Sequence, residues 1–434
     1  MQAVIMAGGK GTRLVTITKD EIPKPMAPVL GKPILEWQVE RLKENGINEI
    51  IMVIGHLGNK IVDYFGNGEK FGVDIKYIEE KEPLGTAGAF YYLKDYLVSE
   101  YFLLVFGDVI FDIDINRMEK YHVDKKSIAT LFAHPNSHPF DSDLVITDEN
   151  HKITCFDSKS SVRDYWYDNS VNAGFYILNK SICDTVSEPV KVDLEKDILM
   201  DLAKNSKEIY AYSSPEYIKD VGTVERIEKA SEEIKSGFVA NRNLKHKQKC
   251  IFIDRDGTIN KHKGLVYKED DFILEDFTKD AIKFINESGY LAIVITNQPV
   301  VARGLCEITD VENIHNKMKT ILGREGAFFD DVVFCPHHPD KGYPEENPIY
   351  KIPCKCRKPE TGMINSCVDK FNIDIDKSWM IGDTTIDMKT GENEGLNTAL
   401  VLTGESGKDG KFDVKPDITC DNLLEAVKQI MKER

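Results

Sequence analysis

Two aspartates stand two residues apart directly after a short apolar run. The run covers residues 250–253, and the sequence Asp-Arg-Asp-Gly-Thr follows at 254–258. When a buried strand ends in this way, one carboxylate can attack phosphorus and the other can serve as a general acid and base. We therefore expect Asp254 to form an aspartyl phosphate, while Asp256 protonates the leaving oxygen and then activates water. A calcium loop is the alternative, but the apolar run before it does not suit an EF-hand.

Further groups that suit phosphate chemistry follow at the ends of later predicted strands. A hydroxyl and an amide can contact phosphate, two cations can balance its charge, and an acid can bind a metal ion. In chain order these residues are Thr296, Asn297, Arg357, Lys358 and Asp383.

Strand end by strand end, this set resembles that of the haloacid-dehalogenase-like phosphatases. The resemblance covers about residues 249–434. It implies a haloacid-dehalogenase fold in which Mg²⁺ is held by Asp254, Asp383 and the backbone carbonyl of Asp256.

Three cysteines and a histidine in the same half have the spacing of a metal site. Cys335 and His337 lie two residues apart, as do Cys354 and Cys356, with a loop rich in Pro, Gly and Glu between the pairs. Three thiolates and an imidazole make a closed, structural Zn²⁺ site, which leaves no open position for catalysis. His338 is an alternative fourth ligand. We expect the metal to hold this loop against the phosphate site.

The zinc pattern and the Asp-Arg-Asp-Gly-Thr motif together narrow the resemblance to one subgroup. It contains the D-glycero-D-manno-heptose-1,7-bisphosphate 7-phosphatases and the histidinol phosphatases. This subgroup usually carries Asn-Gln-Ser-Gly-x-Ala-Arg-Gly where residues 297–304 here read Asn-Gln-Pro-Val-Val-Ala-Arg-Gly. The match implies that Arg303 binds substrate, as the resemblance also implies for Thr296, Asn297, Arg357 and Lys358.

The first half of the chain opens with an apolar run and a glycine-rich loop. Residues 7–14 read Ala-Gly-Gly-Lys-Gly-Thr-Arg-Leu, which lacks both the Walker spacing and the third glycine of the dinucleotide fingerprint. Three glycines still let backbone N–H groups wrap around an anion, and Arg13 adds a planar fork of donors. The alternative is a plain turn from strand to helix.

Other charged groups in this half indicate phosphoryl-type transfer. Lys24 lies between two prolines, which stiffen the backbone around a cation that can stabilise developing charge. Asp108 stands at a predicted strand end, and Asp220 offers a second acid. Two carboxylates are what Mg²⁺ commonly takes from a protein.

In order and spacing, these groups resemble the sugar-1-phosphate nucleotidylyltransferases over about residues 1–238, and residues 22–29 look most like the branch that makes GDP-heptose. The resemblance implies that Arg13 and Lys24 act on the triphosphate and the attacking sugar phosphate. It implies that Asp108 and Asp220 bind Mg²⁺. It further implies contacts to the nucleotide and the sugar from Gly8, Gly9, Gly11, Thr12, Gly85, Thr86, Asn172, Gly174 and Glu195.

The length fits two domains, and the composition is that of an ordinary globular protein. The 434 residues carry 56 Lys and Arg against 72 Asp and Glu, and the resulting net charge of −16 argues against nucleic acid or an anionic membrane as a partner. Nine scattered cysteines and the lack of a leader-like N-terminus favour a reducing cytoplasm. Alternating strands and helices predict two Rossmann-like, three-layer α/β/α domains at 1–240 and 250–434, joined by a solvated basic linker at 241–249.

The two halves suggest consecutive reactions. We expect a phosphatase that removes the 7-phosphate of heptose 1,7-bisphosphate and a transferase that couples the 1-phosphate to GTP, with Mg²⁺ in both domains and structural Zn²⁺ in the second. Sugar phosphates and a nucleoside triphosphate are the expected partners, and self-association into a homo-oligomer is left open. One alternative pairs a hexose-1-phosphate transferase with a phosphatase for another substrate, such as histidinol phosphate. Another makes one half a non-catalytic binding domain.

Overall fold

The computed structural model describes residues 1–9 and 14–432 and divides the chain into two compact units. The division falls between Asn243 and Leu244, inside the segment predicted to be a linker. Two short segments of the first half belong to the second unit. Unit 1 contains Met1–His134, Asp143–Ser158 and Val171–Asn243, and unit 2 contains Pro135–Ser142, Lys159–Ser170 and Leu244–Arg434.

The segment around the division is only partly solvated. Residues 245–247 are exposed, as a linker would be. Arg242, Leu244 and Gln248 are buried, so the prediction of a solvated segment throughout is wrong at these positions. The physical reason is visible at Arg242, whose guanidinium lies 5.3 Å from the centre of the Phe238 ring in the same unit.

Unit 1 is an α/β structure around one mixed sheet. The central strands are nearly continuous apolar runs, as expected for strands that are covered on both faces. Its strands are β1 (Gln2–Met6), β2 (Pro28–Val29), β3 (Lys32–Pro33), β4 (Glu49–Ile54), β5 (Asp74–Glu79), β6 (Tyr101–Phe106), β7 (Val109–Asp112), β8 (Ala129–His134), β9 (Leu144–Thr147), β10 (Ile153–Asp157), β11 (Val171–Asn179), β12 (Ile209–Ser213) and β13 (Tyr217–Asp220). Its helices are α1 (Val15–Thr18), α2 (Ile34–Glu44), α3 (Gly58–Phe65), α4 (Phe90–Tyr96), α5 (Ile115–Asp124), α6 (Met200–Lys204), α7 (Val224–Lys235) and α8 (Phe238–Asn241).

The sheet of unit 1 combines parallel and antiparallel strand pairs. Its main path runs β10-β9-β11-β6-β1-β4-β5, with β8 pairing with β11 and β12. Strands β6, β1, β4 and β5 are parallel, whereas β11 lies antiparallel to β6, β8 and β9. The sheet is therefore mixed, and the unit has the α/β class that the alternating strands and helices predicted. Beyond β6 the pairs are antiparallel except for β12 with β8, which is parallel.

Unit 2 contains a six-stranded sheet that is parallel throughout, in the order β16-β15-β14-β17-β18-β19. This confirms the α/β class for the second half. The strands are β14 (Lys249–Ile253), β15 (Tyr290–Asn297), β16 (Asp331–Cys335), β17 (Trp379–Gly382), β18 (Asn397–Val401) and β19 (Ile418–Cys420). The helices are α9 (Thr278–Ser288), α10 (Ile308–Arg324), α11 (Gly362–Phe371), α12 (Thr385–Glu394) and α13 (Leu423–Lys432).

The strand order of unit 2 locates its candidate site. From β14 the chain proceeds outward to β15 and β16, and then returns to the other side of β14 with β17. Strand order therefore reverses at β14, and ligands of open α/β sheets bind beyond the carboxyl ends of the strands at such a point. Asp254 directly follows β14 and Asp383 directly follows β17.

Candidate active sites

Three carboxylates meet at the reversal point of unit 2. Oxygens of Asp254, Asp383 and Asp387 lie within 4.8 Å of one another, and all three side chains are buried. Burial raises the pKa of Asp254 to about 7, although Lys358 opposes the shift. Burial, with repulsion from the other two carboxylates, raises the pKa of Asp383 to about 8. Oδ1 of Asp383 has no hydrogen-bond partner among the described residues, so this oxygen-only donor set fits a divalent cation such as Mg²⁺.

Lys358 supplies the positive charge at this site. Its Nζ donates to Asp254 Oδ1 and to Asp387 Oδ1, both at 2.6 Å. Burial disfavours the charged amine, but the two carboxylates outweigh burial and raise the pKa of Lys358. Asn297 holds the backbone of Lys358 from both sides, because its Oδ1 accepts from the Lys358 N–H at 2.9 Å and its Nδ2 donates to the Lys358 carbonyl at 3.1 Å. Asn297 therefore positions Lys358 in this structure.

Asp256 lies two residues beyond Asp254 and is held by nitrogen donors. Arg255 Nη2 donates to Asp256 Oδ2 at 2.8 Å and to Oδ1 at 3.0 Å, and Arg255 Nε donates to Oδ1 at 3.1 Å. The side chains of Asn260 and Gln298 add donors at 3.0 and 2.8 Å. Gln298 also donates to the buried Thr296 hydroxyl, at 3.0 Å. These contacts fix the orientation of the carboxylate that was predicted to be the general acid and base.

The predicted zinc ligands converge on one point. The Sγ atoms of Cys335, Cys354 and Cys356 lie 3.1 to 3.5 Å apart, and His337 Nδ1 lies 3.3 Å from Cys356 Sγ. Four ligands at about 2.3 Å from a tetrahedral Zn²⁺ would be separated by about 3.8 Å, so the set fits this ion with a small expansion. Nδ1 of His338, the alternative ligand, instead accepts from the backbone N–H of Asp340 at 3.2 Å.

A group of cations lies against the zinc loop, and the sequence analysis found only part of it. Around the Tyr343 ring, the Arg303 guanidinium lies 4.5 Å and the Lys351 Nζ 4.8 Å from the ring centre. The Lys351 side chain is 3% exposed, its nearest carboxylate is Glu346 at 3.5 Å, and its Nζ has no hydrogen bond within the described chain. Nε of Arg303 is likewise buried without a partner there. We call Arg303, Lys351 and Tyr343 the cation group.

Neighbouring segments of the chain link the cation group to the phosphate site. The zinc loop packs on the segment that carries Arg303, because the Asn347 N–H donates to the Ala302 carbonyl at 3.0 Å. A side chain at Gly304 would overlap the carbonyl of Glu345. Arg357 directly precedes Lys358 in the chain, and repulsion from Arg303 contributes to lowering the pKa of Arg357, after burial. Its Nη1 donates to the His337 carbonyl at 3.2 Å.

In unit 1, three predicted charged residues are brought together. Lys24 Nζ pairs with Asp108 Oδ2, and the Val221 N–H donates to the Asp108 carbonyl at 2.9 Å. A Cβ placed on Gly222 would lie 2.7 Å from Asp220 Oδ1 and 2.9 Å from Lys24 Nζ. Asp220 itself pairs with Arg226 at 2.7 Å. One cation and two carboxylates thus share a site where β7 pairs with β13, as a phosphate-and-metal centre requires.

A second polar group in unit 1 combines three side chains. Asn172 Nδ2 donates to Glu195 Oε1 at 2.8 Å, and the Tyr176 hydroxyl donates to the same oxygen at 3.0 Å. Burial raises the pKa of Glu195. Gly174, between Asn172 and Tyr176 in the chain, has φ of +70°, and a Cβ there would lie 2.7 Å from the Phe106 ring. This cluster can bind hydroxyl groups of a sugar, and Tyr176 was not found by the sequence analysis.

The loop around Gly85 is attached to the same region. Gly85 has φ of +80° and no room for a side chain, because it lies against the carbonyl of Val192. The Thr86 hydroxyl accepts from the Leu194 N–H at 2.7 Å. Gly85 and Thr86 therefore brace the segment that carries Glu195.

The glycine-rich loop is described only at its start. Gly9 has open space around its Cα, whereas a Cβ on Gly8 would lie 2.7 Å from Glu80 Oε2. Glu80 was not predicted, and its Oε1 is buried with no hydrogen-bond partner among the described residues. Burial raises the pKa of Glu80 to about 7. The predicted contacts of Gly11, Thr12 and Arg13 lie outside the described residues and remain predictions.

Within the described ranges, no helix has the length and apolar character that a membrane crossing needs.

Residues 2–237 match the nucleotidyl transferase family, and residues 355–426 match the HAD-hydrolase-like family. The chain belongs to the nucleotidyl transferase family in its first half and to the HAD-like hydrolases in its second half. This confirms both resemblances drawn from the motifs, and the two classes make the chain a bifunctional enzyme.

Individual relatives match one half of the chain each. The D-glycero-alpha-D-manno-heptose 1-phosphate guanylyltransferase of Aneurinibacillus thermoaerophilus is 33% identical over 239 residues, which is 54% of this chain and 98% of that protein. The D-glycero-D-manno-heptose-1,7-bisphosphate 7-phosphatase of Chlorobaculum tepidum is 35% identical over 187 residues. The match covers 41% of this chain and 92% of that protein. A UTP–glucose-1-phosphate uridylyltransferase of Synechocystis is 32% identical over 237 residues, or 52% of this chain and only 61% of that relative.

Proposed function

We propose that the chain activates a heptose in two steps. Unit 2 removes the 7-phosphate from D-glycero-D-manno-heptose 1,7-bisphosphate, and unit 1 couples the remaining 1-phosphate to GTP with release of pyrophosphate. Relatives named for these two activities match opposite halves of one chain. The observation that carries the proposal is the buried Lys351 in the cation group. Its Nζ lies 3.5 Å from the Glu346 carboxylate but makes no hydrogen bond within the described chain, so it can bind a second anionic group of the phosphatase substrate.

The phosphatase reaction follows from the aspartates of unit 2. Asp254 attacks phosphorus, the bond from phosphorus to the C7 oxygen breaks, and Asp256 gives that oxygen its proton. Asp256 then takes a proton from water, which attacks the aspartyl phosphate and releases phosphate and Asp254. Mg²⁺ held by Asp254, Asp383 and the Asp256 carbonyl would neutralise the phosphate oxygens. Lys358 balances the charge that remains and orients Asp254.

The cation group supports a bisphosphate as the substrate. A phosphate near Arg303 and Lys351 would pair with two buried donors that otherwise lack hydrogen bonds. Histidinol phosphate would bring a cationic amine in place of a second phosphate, and like charges repel. The alternative phosphatase substrate is therefore disfavoured by the charges of this loop.

The transferase reaction needs positioning and charge balance. An oxygen of the sugar 1-phosphate attacks the α-phosphorus of the nucleotide, and the bond to the bridging oxygen breaks so that pyrophosphate leaves. Lys24 offers its charge to the phosphates, and Arg13 adds a second cation. Asp108 and Asp220 would hold Mg²⁺, which would balance the charge of the triphosphate. Asn172 and Glu195 bind sugar hydroxyls.

Glu80 supports guanine as the base. Guanine presents an N–H and an amino group side by side, whereas uracil presents a single ring N–H between two carbonyls. A carboxylate beside the nucleotide loop offers two acceptor oxygens to the guanine edge, and Oε1 of Glu80 has no hydrogen-bond partner among the described residues.

We further propose that the sugar is the α-anomer, since the guanylyltransferase relative is named for it. The reduced thiols of the zinc group suit a cytoplasmic location.

The test uses Asp254→Asn and Lys24→Met in the full chain, with heptose 1,7-bisphosphate, Mg²⁺ and GTP. The proposal expects the first variant to release no phosphate and the second to release phosphate but form no GDP-heptose. Phosphate release that survives in Asp254→Asn would contradict the phosphatase assignment. GDP-heptose formation that survives in Lys24→Met would contradict the transferase assignment.

A further inference from the structure

Arg255 connects the general acid of unit 2 to a histidine that the mechanism does not use. Arg255 is fully buried, and it holds Asp256 through Nε and Nη2. Its remaining nitrogen, Nη1, lies 3.1 Å from Nε2 of His315. His315 is 4% exposed on α10, and its ring packs edge-on against Phe334 with 5.3 Å between the ring centres. The contacts form one chain from His315 through Arg255 to Asp256.

The environment of His315 makes it an acceptor. Burial, with the charges of Arg255 and Lys319, lowers the pKa of His315 well below its usual value. The ring is therefore neutral and Nε2 accepts from the guanidinium, which then keeps its other donors on Asp256. Without this acceptor, Arg255 Nη1 would be a buried donor with no partner. The free-energy cost of that would favour a different orientation of the Arg255 side chain.

Helix α10 is itself anchored by the segment Lys159–Ser170, which belongs to unit 2 although the chain on both sides of it belongs to unit 1. The Thr320 hydroxyl is fully buried, accepts from the Tyr167 N–H at 3.0 Å and donates to the Tyr167 carbonyl at 3.1 Å. One residue on, Asp168 pairs with Lys319 at 2.7 Å. Lys319 lies one helical turn after His315, so these contacts hold the turn that presents the imidazole.

We propose that His315 is a positioning residue that orients the general acid Asp256 through Arg255, and that the segment Lys159–Ser170 fixes His315 by anchoring α10. This inference rests on the proposed phosphatase function. It assigns a task to a histidine that the sequence analysis did not single out. It also gives a segment outside the phosphatase half of the sequence a part in phosphatase chemistry.

The test separates the general acid from the rest of the site by the leaving group. An alkoxide leaving group needs a proton from Asp256, whereas p-nitrophenolate leaves without one. In His315→Leu, we expect kcat/KM for heptose 1,7-bisphosphate to fall about 10- to 100-fold. We expect kcat/KM for p-nitrophenyl phosphate to change less than about twofold, because this parameter ends at departure of the phenolate. His315→Gln restores an acceptor and should recover most of the loss.

The anchoring segment is tested with Thr320→Val, which removes the hydroxyl and keeps the shape. We expect the same selective loss at a smaller size, about threefold or more. Thr398→Val is the matched control. Thr398 is also buried and also uses its hydroxyl twice, toward Asp417, but it lies on β18, away from α10. It should leave the ratio of the two substrates unchanged.

The variants test the role of His315 and the role of the anchoring segment separately. Equal losses on both substrates in His315→Leu, or no loss, would overturn the role of His315. An unchanged substrate ratio in Thr320→Val would overturn the anchoring role. If the wild-type chain hydrolyses p-nitrophenyl phosphate but not the heptose bisphosphate, the proposed substrate fails instead, and glycerol 3-phosphate takes its place as the alkyl substrate for the same comparison.

Discussion

Lys351→Met tests whether the cation group binds the second phosphate of the substrate. Methionine keeps the unbranched shape at nearly the same length and removes the charge with its N–H donors. Lys351 is 3% exposed in its side chain, and Glu346, at 3.5 Å, is its nearest carboxylate. The Glu346 carboxylate that loses its partner is partly exposed and still accepts from the Gly342 N–H at 3.2 Å, so the substitution leaves no buried unpaired charge and removes the burial cost of the amine. We therefore expect a melting temperature that is unchanged or higher.

The expected loss is in substrate recognition. A hydrogen bond to a charged group contributes about 1.5–3 kcal/mol, which corresponds to about 10- to 150-fold at 25 °C. kcat/KM for heptose 1,7-bisphosphate should fall by this factor in Lys351→Met. For heptose 7-phosphate, which lacks the 1-phosphate, it should change less than about twofold. The ratio of the two substrates is thus the quantity to measure, by phosphate release under steady-state conditions.

A control variant removes a charge from the same loop without touching the cation group. Lys341 is exposed, and Lys341→Met should leave both substrates unaffected. Equal losses on the bisphosphate and the monophosphate in Lys351→Met would show that the lysine supports the loop and does not bind phosphate. An unchanged substrate ratio would remove the observation on which the bisphosphate proposal depends.

Three further predictions concern the base and the metals. Glu80→Gln should lower kcat/KM for GTP about tenfold or more while that for UTP is maintained or rises, measured by pyrophosphate release with each nucleotide; an unchanged ratio would contradict base reading by Glu80. The raised pKa values of Asp254 and Asp383 mean that the metal-free site keeps protons at pH 6, which Mg²⁺ must displace. Calorimetry should therefore show Mg²⁺ binding that is about 10- to 100-fold weaker at pH 6 than at pH 8. Equal affinities at the two pH values would contradict this metal site. The same raised values mean that the metal-free protein loses stability as pH rises from about 4 to 8, and added Mg²⁺ should raise the melting temperature more at pH 8. Cys354→Ser should release zinc and lower the melting temperature by about 5 °C or more, with phosphatase activity lost before transferase activity; full zinc retention would contradict the ligand set.

The fold could be predicted well where the hydrophobic pattern is continuous. The strand Tyr290–Asn297 is one continuous apolar run up to its end, and the helix Ile308–Arg324 has buried apolar residues at helical spacing, so both can be read from the sequence. The antiparallel side of the first sheet was missed, because its short strands, such as Leu144–Thr147, carry little periodicity. The membership of Lys159–Ser170 in unit 2 depends on long-range contacts, such as Tyr167 with Thr320, which no local pattern encodes.

Some residues of the candidate sites could be predicted from the sequence and others could not. Residues at strand ends, such as Asp254 and Asp383, could be found because parallel strands bring their carboxyl ends to one edge. Lys351 and Glu80 could not, since charged residues are usually exposed and nothing beside them in the sequence indicates burial. Arg255 was read only as part of a motif, although its contact to His315 spans 60 residues.

The central claim is that one chain carries out two consecutive reactions on one heptose. The most direct measurement is a single reaction that contains the purified chain, Mg²⁺, α-D-glycero-D-manno-heptose 1,7-bisphosphate and all four nucleoside triphosphates, with products identified by mass. We predict free phosphate, pyrophosphate and GDP-heptose, with heptose 1-phosphate as the intermediate. Phosphate without any nucleotide sugar would contradict the proposed role of unit 1, and the absence of phosphate would contradict that of unit 2.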